Sequence, residues 1–288
     1  MADIQYEAPQ DLSAASALLA AGGGQARILA GGTDLLVQMK SDLIEPTLII
    51  DIKNISETRT IAAENGGFRI GAAVPGAELG EHEALSAAWP GVVEAAELIG
   101  STQVQGRASL GGNLCNASPA ADSVPAMIAA GAVASVVGQN GARDVLVEDI
   151  ATGPGQTSLA SGEIVASIFL PERPPNSGDA YLRFIPRTEM DIAVVGVGIS
   201  LTLDGGGVCT AARVGLGAVA PTALLVGPAA DALIGTKIDD AALDNLAAAT
   251  SAACSPIDDK RGTIEFRTDV AGVLARRVAS IALKRAAK

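Results

Sequence analysis

The sequence predicts an α+β chain, on three observations. Before residue 171, short apolar runs of strand length alternate with Ala/Leu-rich helical stretches. A segment dense in Pro, Ser and Gly, Pro171-Glu-Arg-Pro-Pro-Asn-Ser-Gly178, then marks a boundary at about residue 175. Beyond it three strand candidates follow one another and two helices close the chain, which implies a small antiparallel sheet backed by helices.

Taken in order, Leu12–Ala21 reads as a helix with Asp11 or Ser13 as its cap. Arg27–Ala30 is a strand running into Gly31-Gly-Thr-Asp34, Leu35–Lys40 a helical turn, and Leu48–Ile52 a buried strand. Phe68–Ala73 follows the Asn65-Gly-Gly67 turn as another strand, and Ala84–Ile99 reads as one helix containing Pro90. Ser101–Asp122 reads as a loop, and Ser123–Ala130 as a helix. Strands are expected at Val133–Val137, Asp144–Val147 and Ile164–Leu170, with a loop at Gly153-Pro-Gly155. After the boundary come strands at Tyr181–Phe184, Ile192–Leu203 and Ala211–Val219, with a hairpin turn at Asp204-Gly-Gly-Gly207. Helices at Ala241–Ala253 and Thr268–Lys288 complete the chain, the last with Val270, Val273, Leu274, Val278, Ile281 and Ala282 on one face.

Composition removes several function classes. The chain has 288 residues and a formal charge of −12, which argues against a nucleic-acid partner. One Trp, two Tyr and four Phe leave little material for base stacking and make the core aliphatic. The most apolar window, Val124–Gly138, is shorter than the roughly twenty residues a membrane span needs and is broken by Gly131; a buried helix followed by a strand fits it better. The N-terminus lacks a secretory pattern, and Cys115, Cys209 and Cys254 are scattered, as suits a reducing cytoplasm. With one histidine, His82, and no CxxC pair, the chain offers neither a zinc site nor an iron–sulfur motif, so metal chemistry would sit on another chain.

Two glycine-rich segments carry the chemistry. In Gly31-Gly-Thr-Asp34 the backbone N–H groups of Gly31 and Gly32 and the hydroxyl of Thr33 suit a diphosphate, although an ordinary strand-to-helix turn has the same form. Asp34 is expected to cap the helical turn after it. In the second segment Ser109, Gly111, Gly112, Asn113 and Asn116 are too rich in glycine and amide for structure alone, and Asp122 is suited to accept from a ribose hydroxyl or an adenine amino group. Gly215-Leu-Gly-Ala-Val-Ala220 matches a dinucleotide fingerprint in letters only, since Pro221 interrupts the helix it needs. His82 between Glu81 and Glu83 reads as a solvated loop residue. Arg183 and Arg187 flank Pro186 and either form a solvated face or send a cation to the cofactor.

At these two segments the chain resembles the FAD-binding medium subunit of molybdenum hydroxylases, the family of carbon monoxide dehydrogenase and xanthine dehydrogenase. Ala30–Leu35 looks like its first FAD loop, Ser109–Asn113 with Asn116–Asp122 like its second, and Asp259-Lys-Arg-Gly-Thr-Ile-Glu-Phe-Arg267 like its C-terminal signature. The resemblance covers essentially the whole chain. It implies a two-part FAD domain of the vanillyl-alcohol-oxidase (PCMH) type over residues 1–175, with subdomains of about 1–55 and 56–175, and a C-terminal domain over 178–288 that closes over the flavin. By position it implies FAD contacts at Ile28, Leu29, Ala30, Gly31, Gly32, Thr33, Asp34, Leu35, Ser109, Gly111, Gly112, Asn113, Asn116 and Asp122. Val165 would offer backbone to the flavin edge, Arg183 stands where relatives often have lysine, and Ile192 would lie near the ring in place of an aromatic.

The resemblance implies a cytoplasmic oxidoreductase subunit that transfers electrons. FAD would be held non-covalently. The molybdenum cofactor and [2Fe–2S] clusters would sit on a large and a small partner subunit, in a dimer of heterotrimers. No side chain here needs to act as acid or base, because the flavin carries the redox chemistry. A stand-alone flavin oxidoreductase and a non-catalytic nucleotide-binding module are the alternatives. Substrate and final acceptor (NAD, oxygen or a quinone-linked carrier) are not readable from this chain.

Overall fold

The computed structural model describes residues 4–288. The chain builds its N-terminal region on a parallel sheet of Gln5–Glu7, Leu48–Asp51 and Ala26–Leu29, in that spatial order. Leu48–Asp51 is buried throughout, as a central strand of apolar residues should be. The Leu12–Gly22 helix covers this sheet, capped by Asp11, whose Oδ1 accepts from Ala14 N at 2.7 Å.

A five-stranded antiparallel sheet follows, ordered Ile61–Glu64, Gly67–Gly71, Ile164–Leu170, Val133–Gly138 and Gly141–Leu146. Its central strand returns from far along the chain, so the last strand of this region locks the earlier ones in place. The C-terminal sheet has four strands rather than three: Ser177–Phe184, Val195–Leu203, Cys209–Gly217 and the two-residue Leu224–Leu225. Helices Asp240–Ala252 and Ile264–Ala286 complete this part, and the longer one packs on the first two of those strands. Three separate apolar clusters result, centred on Ile50 and Ile52, on Val92, Met127 and Ile168, and on Val197 and Val278.

Several expectations need correction. Ala84–Ile99 is two helices, Glu83–Ala88 and Pro90–Glu97, because the residue before a proline is pushed out of helical geometry; Trp89 sits at φ −131°, ψ 61°. His82 is not a solvated loop residue: it caps the first of these helices, with Nδ1 accepting from Leu85 N at 3.1 Å, and its ring meets Phe68 edge-on. The Ser101–Asp122 segment is not one loop, since Thr102–Gln105 and Leu110–Cys115 are helical. Ser109 starts the second helix by accepting from Gly112 N. The last helix begins at Ile264, capped by Thr263, and Val273 faces solvent instead of the core.

The seam between the N- and C-terminal sheets explains the false fingerprint. Helix Ser123–Ala129 is buried along its whole length and lies on the C-terminal sheet. A Cβ at Gly215 would stand 2.2 Å from the Pro125 carbonyl oxygen, one at Gly198 2.7 Å from it, and one at Gly217 2.7 Å from Pro125 Cγ. These glycines let a helix press against strand backbone; they do not cradle phosphate. Polar ties reinforce the seam. Arg213 Nε donates to Ile128 O at 2.9 Å, Arg285 pairs with Glu94, and the buried Asp179 accepts from Gly91 N at 2.8 Å.

Candidate functional site

A cleft of about 250 Å³ opens where the two glycine-rich segments meet. The first segment leaves the strand Ala26–Leu29 and enters helix Leu35–Lys40; the second contributes helix Leu110–Cys115. Their contact is backbone on backbone. A Cβ at Gly31 would lie 1.9 Å from the Arg107 carbonyl oxygen, so the approach is open to glycine alone. Gly32 takes φ +77°, which also favours glycine. From behind, Lys53 Nζ donates to Ala30 O at 3.0 Å and to Asp51 Oδ1 at 2.8 Å, fixing the carbonyl just before the turn.

The result is a run of free donors. The N–H groups of Gly31, Gly32, Thr33 and Asp34 have no protein acceptor among the described residues. Buried or half-buried N–H groups rarely stay unpaired, so their convergence on a cleft marks an anion-binding surface. On the facing wall, Asn113 Oδ1 accepts from Ser123 N at 3.1 Å and Ser123 Oγ at 2.6 Å, while Asn116 Oδ1 accepts from Gln38 Nε2 at 3.0 Å. With both amide oxygens engaged, both amide nitrogens remain as donors. A Cβ at Gly112 would meet only Ser109 Oγ, tightly at 3.1 Å; Gly111 instead presses against Ala72, where a Cβ would meet Ala72 atoms at 2.6 Å. A donor set of backbone N–H, hydroxyl and amide groups fits a nucleotide with a diphosphate.

The described lining carries two carboxyl groups, Asp34 and Glu163, and one thiol, Cys115. Glu163 is occupied by Arg143 Nη2 at 2.7 Å and Ala160 N at 2.7 Å, and the Arg143 contact holds its carboxyl down at about 2. Burial raises Asp34 above the ordinary aspartate value. Asp34 does not cap its helix either: it already has helical φ and ψ, and the first turn is closed by Leu36 N donating to Gly32 O. Cys115 keeps accessible surface, yet its thiol is crowded by protein atoms that push it up to about 12, leaving it a poor nucleophile.

Of the residues singled out in the sequence, Ile28, Ala30–Leu35, Ser109, Gly111, Gly112, Asn113, Asn116 and Val165 line the cleft. Leu29, Asp122, Arg183 and Ile192 do not. Leu29 pairs with Asp51 in the parallel sheet, and Ile192 is exposed on the segment before strand Val195–Leu203. Asp122 and Arg183 are paired with each other across the seam: Arg183 Nη1 donates to Asp122 Oδ2 at 2.6 Å and Tyr181 OH to Oδ1 at 3.3 Å. Arg187 is exposed and bonded to Asp191. The structure adds Arg27, Gln38, Ile52, Ala72, Ile99 and Glu163 to the cleft. Arg27 had a visible signal, a charge inside an apolar strand. Ile99 and Ala72 had none, because only folding brings them there.

Residues 2–173 match the family model described as the FAD binding domain in molybdopterin dehydrogenase, and residues 180–282 match the CO dehydrogenase flavoprotein C-terminal domain. The chain belongs to the molybdopterin dehydrogenase flavoprotein family. Within that family it is 35% identical to the carbon monoxide dehydrogenase medium chain of Afipia carboxidovorans over 283 residues, 98% of each chain. It is 30% identical over 267 residues to the xanthine dehydrogenase FAD-binding subunit of Escherichia coli O157:H7, covering 92% of this chain and 91% of that one. A crystal structure of Cu,Mo-CO dehydrogenase in its cyanide-inactivated form contains a chain that superposes with a TM-score of 0.94 at 34% identity, 98% of both chains being covered. The flavoprotein is therefore an FAD-binding subunit of the molybdenum hydroxylase family, and an oxidoreductase component. Among its described residues no helix is long and apolar enough to cross a membrane.

The seam carboxylates of this flavoprotein give it an unusual pH dependence. Burial pushes Asp122 up to about 6 against the pull of Arg183 and Tyr181, and burial pushes Asp179 up to about 6 against Arg173 and Gly91 N. A carboxyl whose folded pKa is raised contributes stability that is full below its unfolded value and lost as pH rises through the folded one. The thermal midpoint is expected to rise as pH falls from about 7.5 to about 5.5, and the Asp122→Asn, Asp179→Asn double variant to flatten that slope. Differential scanning fluorimetry checks this; a midpoint that falls steadily over the same interval would contradict it.

Proposed function

We propose that this chain is the electron-transfer subunit of a heteromeric molybdenum hydroxylase. Its FAD would take electrons from [2Fe–2S] clusters on a small partner subunit, which receives them from a large subunit carrying the molybdenum cofactor, and deliver them to an external acceptor. The single observation that supports this most is the cleft itself: unpartnered donors shaped for a dinucleotide, a thiol held un-ionised, and no group of metal ligands among the described residues. The role of this chain's residues is to bind and orient. Gly31–Asp34 would present N–H groups to the diphosphate, Ser109, Asn113 and Asn116 would hold the facing side, and Val165 would contribute strand backbone. Asp122, held by Arg183 in the seam, would act on the cofactor through the adjoining Ser123, which fixes the Asn113 amide, and Ile192 would give aliphatic cover from the C-terminal part. Three separate apolar cores favour a division into 1–55, 56–175 and 178–288. Three unpaired cysteines fit a cytoplasmic setting.

The test is co-expression with the genes for a large and a small partner. Purification should yield all three chains as a dimer of heterotrimers, with the bound flavin bleached by the large subunit's substrate only when the small subunit is present. Turnover of a small substrate by the isolated flavin-loaded chain would sink the proposal and favour a stand-alone oxidoreductase.

FAD is expected to be dissociable. The one histidine, His82, lies outside the cleft as a helix cap, and Cys115 inside it is not ionised near neutral pH. Acid precipitation should leave the yellow colour in the supernatant. A coloured pellet would show a covalent bond.

A further inference from the structure

Arg27 differs from most arginines of this chain. Arg59, Arg69, Arg143, Arg183, Arg213 and Arg285 each hold a carboxylate, whereas Arg27 makes no ion pair among the described residues. Among the described residues it is also the one cation lining the cleft. Its plane is fixed: Nη1 donates to Gly24 O at 2.6 Å and to Ala26 O at 2.8 Å, while Nε and Nη2 have no acceptor among the described residues. Gly24 precedes the strand Ala26–Leu29 and Gly31 follows it, so the guanidinium is held toward the opposite end of that strand from the Gly31–Asp34 donors. The turn before Glu163 lies toward the same end, since Gly162 docks on the first helix at Ala20 and through Ser16 Oγ at 2.8 Å, and that helix meets Ala26 at Gly22.

The lining contains no aromatic side chain among the described residues. A purine in this cleft therefore lacks the usual ring to stack on, and a fixed guanidinium is the planar, cationic substitute. We infer that Arg27 grips the adenylate half of FAD and sets the preference of the site for the dinucleotide over FMN. The inference rests on the FAD reading above and adds to it the residue that tells the two flavins apart. Glu163 does not neutralise Arg27, because Arg143 already engages both its oxygens.

The test uses the full chain freed of flavin, titrated with FAD and with FMN by flavin fluorescence, and with AMP as competitor. Arg27→Ala should raise the FAD Kd by about tenfold or more, leave the FMN Kd within about twofold, and abolish competition by AMP. Arg27→Lys should lose most of the same selectivity, since an ammonium keeps the charge without the plane. Arg277→Ala, a change of the same charge at an exposed arginine of the last helix, should behave as the native chain. Equal weakening of FAD and FMN, full selectivity in Arg27→Lys, or a matching loss in Arg277→Ala would each overturn the assignment. A native chain that binds neither flavin would overturn the FAD reading and this inference with it.

Discussion

Asp122→Ala is expected to destabilise the chain by about 3–5 kcal/mol, because it strands a buried cation. The Arg183 side chain is 4% exposed, its Nε has no partner, and Nη1 depends on Asp122 Oδ2 at 2.6 Å. Removing the carboxylate also leaves the Tyr181 hydroxyl without its acceptor. The damage should reach the cleft. Asp122 precedes Ser123, whose N and Oγ hold the Asn113 amide, so FAD affinity should fall along with stability. Asp122→Asn keeps the volume and one acceptor and should lose less. Replacing both partners, Asp122→Leu with Arg183→Met, should recover much of the loss, because two apolar groups leave nothing unpaired. Urea denaturation measures each case. A single Asp122→Ala variant within about 1 kcal/mol of the native chain would refute the argument.

Gly31→Val should sharply reduce flavin loading. Even the first carbon of a side chain there would lie 1.9 Å from the Arg107 carbonyl oxygen, 2.5 Å from its carbon and 3.1 Å from Ala108 N. Backbone atoms on both sides cannot turn aside as a flexible side chain would, so the two segments must separate. Forced overpacking of this kind costs about 1–3 kcal/mol, and here the loss falls on the cleft wall itself. FAD affinity should drop by about a hundredfold, the factor that some 2.7 kcal/mol commands. Gly24→Ala is the matched control: nothing lies within 4 Å of its Cβ, so loading should be unchanged. The absorbance ratio of bound flavin to protein reads both variants. Normal loading in Gly31→Val would mean the segments do not meet as described.

Much of the fold was legible because periodicity is local. Leu12–Gly22, Leu48–Asp51, Ser123–Ala129 and Ile164–Leu170 stand within a residue or so of their expected limits. Errors arose where a side chain acted at a distance from its own pattern. The glycines of Ser101–Asp122 read as loop, yet Gly111 serves helix packing against Ala72. His82 read as solvated because its ring partner, Phe68, lies on a strand fourteen residues earlier. The site was legible in the same proportion. Residues within the two glycine segments announced themselves by type, while Gln38, Ile99 and Ala72 entered the cleft only through tertiary packing.

By itself, the sequence determined the α+β class, the aliphatic core and two glycine-rich segments supplied with donors. These follow from composition and short-range spacing, which need no knowledge of neighbours. Only the tertiary structure decided which donors are free and which acids are already taken. Asp122 and Glu163 look equally available in the sequence, but one is bound to Arg183 and the other to Arg143. Arg27 looks like one arginine among many, and folding leaves it in the cleft with no carboxylate partner among the described residues. The reason is physical: a charge or a hydrogen bond is satisfied by whatever lies within about 3 Å in space, and distance along the chain says little about that.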